Sequence, residues 1–133
     1  MKKSFQKKII LGEPLIPLNS AVNLYSKVIN NNFPNEGSYT KLFEKKISKL
    51  LKVKYVVTCT SGTIAIFLAL KALGVRQQDE VLVPNITFPA TLNAISLSGA
   101  KPILVDVNKD NLLMSIEDIE KKINKKTKVI LPV

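Results

Sequence analysis

The stretch EVLVPNITFPATLNAISLSGAKPILVDV, residues 80–107, changes its apolar period twice. EVLVP (80–84) is short, apolar and rich in β-branched residues, which predicts a strand. Residues 88–98 are apolar helix formers, and Gly99 stands where a helix usually stops. PILVDV (102–107) then predicts a second strand. Strand, helix and strand at this spacing argue for parallel neighbours joined by a crossover helix, because a parallel pair cannot be closed by a tight turn.

The same unit extends in both directions. Upstream, KYVVTCT (54–60) reads as a strand, and residues 63–73 read as a helix that is apolar almost all the way round and ends at Gly74. Downstream, SIEDIEKKI carries Ser115 and Asp118 in capping-box spacing, with Glu117 four residues before Lys121. KVILPV (128–133) predicts a fourth strand. The fold class expected is α/β, a mostly parallel sheet with flanking helices. Before these units, Tyr39, Leu42, Phe43, Ile47, Leu50 and Leu51 fall on one face of an amphipathic helix, with Lys41, Glu44, Lys45, Lys46 and Lys49 on the other. A weaker helical pattern, Ala21, Val22, Leu24, Tyr25, Val28 and Ile29, is capped by Ser20 or Asn19 and ends in the loop NNNFPNEGS (30–38). The expected organisation is an N-terminal segment, 1–37, and an incomplete α/β portion, 38–133. An apolar strand running up to Val133 with no helix to cover it reads as the front part of something longer.

Composition narrows the chemistry. The 133 residues are 46% hydrophobic, ample for a core, and no run approaches the roughly 18 apolar residues of a membrane span. The start MKKSFQKKIILGEPLIPL is too soon broken by Gly12, Glu13 and Pro14 for a signal peptide, so a cytoplasmic location is expected. The formal charge is +10, but the lysines are scattered without interleaved aromatics, which favours a solvated surface over nucleic-acid binding. There is no histidine, hence no imidazole base and no histidine-based metal site. The single cysteine, Cys59, is expected as buried filler within the 54–60 strand.

In parallel sheets ligands bind beyond the carboxyl ends of the strands, and two segments sit at such ends: the Ser61-Gly62-Thr63 turn and PNITFPAT (84–91). Small polar residues at a helix start can leave its first N–H groups facing an open space, a socket for an anion. Alternatively, Ser61 or Thr63 merely caps the helix. Phe88, taken alone, reads as a core phenylalanine.

Taken together, GSYTKLFEKKISKLLKVKYVVTCTSGTIAIFLALKALGV, DEVLVPNITFPATLNAISLSGAKPILVDVNKDNLLMS and TKVILPV resemble, in order, spacing and content, the DegT/DnrJ/EryC1/StrS family of pyridoxal-phosphate-dependent sugar aminotransferases. The resemblance runs from about Pro17 to Val133 and implies the front part of the large domain of the aspartate aminotransferase fold. It implies that pyridoxal 5′-phosphate (PLP) is the cofactor, its phosphate held by the N–H groups of Gly62, Thr63 and Ile64 with the Thr63 hydroxyl, and that Phe88 stacks on the pyridine ring. Thr91 and Asn93 match recurring positions as supports of the turn, and Asp106 matches a strand position with a structural role. The resemblance places the Schiff-base lysine and the aspartate that pairs with the pyridine nitrogen beyond Val133, so no catalytic residue is carried over to this chain. For the complete protein it implies transfer of an amino group from an amino acid, usually glutamate, to a keto group on a nucleotide-linked sugar, in a homodimer whose sites form between two chains. Pro34 and Glu36 depart from the family's glycine-proline pattern near the substrate. Two other readings stay open at this stage: a sugar dehydratase of the same fold, and a non-catalytic basic α/β module that binds nucleotides.

Overall fold

The computed structural model describes Gly12, Leu15, residues 17–30 and residues 37–133. These fall into two compact units that meet in sequence between Thr58 and Cys59. The departures at Pro34 and Glu36, and most of the NNNFPNEGS loop, lie outside the described residues.

The first unit holds α1 (Leu18–Asn30) and α2 (Ser38–Leu51). The helix α1 begins earlier than expected, so Asn19 and Ser20 lie inside its first turn rather than capping it, and Ala21 N–H donates to the Pro17 carbonyl at 3.0 Å. The amphipathic pattern from Tyr39 is realised in α2, which ends on Lys52 in the left-handed region (φ 53°), its N–H donating back to the Ser48 carbonyl.

The second unit contains α3 (Gly62–Ala72), β1 (Glu80–Pro84), α4 (Pro89–Ser98), β2 (Lys101–Val105), α5 (Ile116–Lys122) and β3 (Thr127–Ile130). The three strands form a parallel sheet in the order β2-β1-β3. Central β1 is buried on both faces, and its side chains alternate as a strand's must. Val81 and Val83 enter one cluster with Leu70, Val75, Ile95 and Ala100, the layer between the sheet and α3 and α4. Leu82 enters another on the opposite face with Val105 and Met114, closed by Ile103 and Ile119, the latter from α5. The sheet is therefore sandwiched by helices, and a continuous apolar run in EVLVP is what a strand buried on two sides requires.

The glycines expected as helix stops do that work: Gly74 and Gly99 adopt φ of 74° and 88°, a conformation that costs other residues far more. An added Cβ at Gly99 would sit 3.7 Å from the Gln77 backbone nitrogen, so the chain leaving α3 passes close under the end of α4.

Three expectations are corrected. KYVVTCT (54–60) forms no strand: none of its residues is in a ladder among those described, and Tyr55 and Val57 are 77% and 80% exposed. The segment has strand composition but lacks a neighbour to hydrogen-bond with, and composition alone cannot supply one. Cys59, expected to be buried within it, is exposed, with Sγ 3.4 Å from the Ser61 carbonyl. On α5, Ser115 does cap, accepting from Asp118 N–H at 3.3 Å, but the ion pair is Asp118–Lys122 at 2.6 Å rather than Glu117 with Lys121. The Asp118 carboxylate does not reach back to the Ser115 N–H, which donates instead to the Asp106 carbonyl.

Candidate cofactor site

The start of α3 is built by three small residues. Ser61 is extended (φ −162°, ψ 162°) and its Oγ accepts the Ile64 N–H at 3.3 Å, while its carbonyl accepts Ala65 N–H at 3.0 Å. Ser61 thus caps the helix. The N–H groups of Gly62 and Thr63 have no acceptor among the described residues, as the first turn of a helix dictates. Gly62 is exposed, and a Cβ built there would meet no atom within 4 Å. Its φ is not in the left-handed region either, so neither packing nor backbone conformation asks for glycine at this helical position. Of the three expected donors, two are free and the third, Ile64, is engaged by Ser61.

The topology sets Phe88 beyond the carboxyl end of β1. Seven residues connect the end of α3 to the start of β1; α3 packs on α4, and Gln77 in that connection lies against Gly99 at the end of α4. As the crossover between parallel β1 and β2, α4 runs back against the strands and begins beyond their carboxyl ends, where α/β sheets bind ligands.

Phe88 is the last residue before α4, with Pro89 at the first helical position. It is 77% exposed, which removes the core reading. Its ring is held by no packing of consequence, whereas the backbone beneath it is held closely. Thr91, buried, donates its N–H to the Phe88 carbonyl at 3.0 Å and shares a hydroxyl hydrogen bond of 3.0 Å with Thr87. Thr91 therefore supports the turn, while Asn93 is an exposed residue of α4.

Sequence reasoning missed the polar network at the ends of β1 and β2. Asn85 follows Pro84, and Asp106 follows Val105, its partner in register. Asn85 N–H donates to the Val105 carbonyl at 2.9 Å, and its Nδ2 donates to Asp106 Oδ1 at 3.0 Å. Asp106 N–H in turn donates to Asp118 Oδ2 at 2.7 Å, and Lys122 Nζ bonds both Asp118 Oδ2 and the Leu104 carbonyl. The Lys122 ammonium and then the Asp106 N–H hold the Asp118 carboxyl below the ordinary aspartate value. The Ser115 hydroxyl does the same for Glu117. The signal that could have found the latch is a polar residue ending each of two adjacent predicted strands. Asp106, expected to have a structural role, bonds Asn85, Asp118 and Ser115.

The DegT/DnrJ/EryC1/StrS aminotransferase family matches residues 19–133. The chain belongs to this family. It is 38% identical over 121 residues to the GDP-perosamine synthase of Vibrio cholerae, covering 91% of this chain and 33% of that protein. It is 40% identical over 112 residues to the 3-oxo-glucose-6-phosphate:glutamate aminotransferase of Bacillus subtilis (strain 168), covering 84% of this chain and 25% of the relative. The crystal structure of NtdA from Bacillus subtilis with bound cofactor PMP superposes with a TM-score of 0.83 at 35% identity, over 94% of this chain and 31% of that one. This family member therefore spans between a quarter and a third of the length of the relatives it matches. Among the described residues no helix is long and apolar enough to cross a membrane, and no group of side chains is arranged to hold a metal ion.

Proposed function

We propose that this family member forms the cofactor-phosphate-binding, N-terminal portion of a PLP-dependent aminotransferase that moves an amino group, with glutamate as donor, to a keto group on a nucleotide-linked sugar. The N–H groups of Gly62 and Thr63 and the Thr63 hydroxyl hold the phosphate, and Ile64 N–H joins them when Ser61 releases it. The ring of Phe88 covers one face of the pyridine. When bound, PLP supplies the carbonyl that carries the amino group and the ring that takes up the electron pair released at the substrate carbon.

One observation carries this reading: at the start of α3 the N–H groups of Gly62 and Thr63 have no acceptor among the described residues, with open space over Gly62 and no structural demand for glycine. A dianionic ester suits that place, since backbone donors and the positive end of the helix face it and no side chain blocks its approach. The family and the PMP-bound relative support the choice of anion; the name of the Bacillus relative supports glutamate as donor, and that of the GDP-perosamine synthase supports a nucleotide-linked sugar over the sugar phosphate of the Bacillus relative. None of the nineteen lysines matches the Schiff-base position that the family resemblance implies, so little or no transamination is expected of the 133 residues alone. The active unit is a homodimer.

The test is to express the complete reading frame, purify the protein with PLP and record its visible spectrum. A bound-cofactor band that borohydride abolishes, with amino transfer from glutamate to a nucleotide-linked keto-sugar, supports the proposal. A colourless protein indifferent to PLP refutes it.

A further inference from the structure

Phe88 poses a mechanical problem. A ring 77% exposed has no wall of neighbouring side chains to hold its plane, so its direction must come from the backbone beneath it. That backbone leaves β1 at Pro84, bends through Asn85, Ile86 and Thr87, and enters α4 at Pro89. On the α4 side it is fixed by Thr91, as described. On the β1 side the one side-chain tie among the described residues is Asn85 Nδ2 to Asp106 Oδ1, 3.0 Å, which joins residues 21 positions apart at the ends of two strands.

Asp106 is a firm anchor for such a tie. Its N–H donates to Asp118 and its carbonyl accepts from Ser115, so both of its backbone groups are fixed before its side chain is used. Asp118 is itself held by Lys122, whose ammonium also caps the Leu104 carbonyl near the end of β2. A chain of hydrogen bonds therefore runs from α5 through Asp118 and Asp106 to Asn85, three residues before the exposed ring.

From this arrangement we infer that Asn85 and Asp106 are positioning residues: their hydrogen bond fixes the loop that presents Phe88 to the cofactor ring. The inference rests on the PLP reading above and deepens it. Neither side chain touches the cofactor; both act through Phe88. Asn suits position 85 because its amide donates to a carboxylate, whereas Asp there would set two carboxylates against each other.

The full-length protein, freed of cofactor, is titrated with PLP, and affinity is read from the visible band and its induced circular dichroism. Four single variants are compared with the wild type: N85A, D106A, D106N and F88A, together with the double variant N85A/F88A. N85A and D106A are expected to weaken PLP binding by about three- to tenfold, the worth of one partly solvated hydrogen bond. D106N keeps an acceptor oxygen at the same place and should stay within about twofold of wild type. The decisive comparison is the double variant: once the ring is gone, N85A should cost no further affinity, because residues that act as one unit are not additive. An equal loss from N85A in both backgrounds, or none in the wild-type background, overturns the inference while leaving the cofactor reading intact. A wild type that does not bind PLP, or an F88A variant that binds as well as wild type, overturns the cofactor reading and this inference with it.

Discussion

The carboxylate of Glu44 on α2 accepts two hydrogen bonds from a single residue, Thr58: the backbone N–H at 2.9 Å and the hydroxyl at 3.0 Å, both through Oε1. Fourteen residues apart and partly buried, the pair ties the helix to the extended segment that has strand composition but no ladder. Glu44→Ala leaves the Thr58 N–H without this partner, and hydrogen bonds to a charged group are worth about 1.5–3 kcal/mol. Urea unfolding should show a loss of about that size. Glu44→Gln, which keeps one acceptor oxygen, should lose less. Equal behaviour of E44A and wild type would show that the tie contributes nothing.

Gly62 separates structural from binding roles in one substitution. No atom lies within 4 Å of an added Cβ, and the residue is the first of α3. Gly62→Ala should therefore leave thermal stability unchanged or raise it, by up to about 1 kcal/mol, through helix propensity. Affinity for PLP should fall, since the methyl group enters the space reserved for the phosphate. A calorimetric titration paired with a melting curve checks both halves, and a destabilised variant with undiminished affinity would contradict them.

Acid should weaken the end of β2 through Asp118. Its folded-state pKa is depressed by Lys122 and the Asp106 N–H, so as pH falls the unfolded chain takes up the proton first. The stabilisation is full above the unfolded aspartate value of about 3.9 and is lost as pH drops from there through the lower folded value. Asp118→Asn, which cannot titrate, should flatten that part of the stability curve and lower the plateau above it. Unfolding midpoints measured from pH 6 down to pH 2 would show whether wild type and D118N converge in acid, as expected, or run parallel.

Leu82 tests the layer opposite α3 and α4. It is fully buried with Val105 and Met114, under Ile103 and Ile119. Leu82→Ala should cost about 2–5 kcal/mol, the usual range for a leucine cavity. A loss below about 1 kcal/mol in denaturant unfolding would mean that this face of the sheet is not the closed layer described.

Much of this architecture was legible because its causes are local. EVLVP, the glycines at 74 and 99 and the Ser115 cap each act over a few residues, and each does in the structure what its chemistry predicts. KYVVTCT failed for the opposite reason: a strand is a relation between two segments, and its β-branched residues say nothing about whether a neighbour exists. Cys59 went wrong along with it. At the candidate site, the small polar residues marked the Gly62 turn as a helix start but left a cap and an anion socket both open, and Phe88 could be separated from a core residue only by the resemblance around it. The Asn85–Asp106 and Glu44–Thr58 ties join residues 21 and 14 positions apart, which only the folded backbone brings together.

Whether the amides opening α3 hold a phosphoester, with the phenyl ring before α4 over its heterocycle, is decided by a crystal structure of the full-length protein grown with PLP. Phosphate oxygens should lie within hydrogen-bond distance, about 2.7–3.2 Å, of the Gly62 and Thr63 nitrogens, with the Phe88 ring over the pyridine. A phosphate held elsewhere, with those two amides facing water, would contradict it.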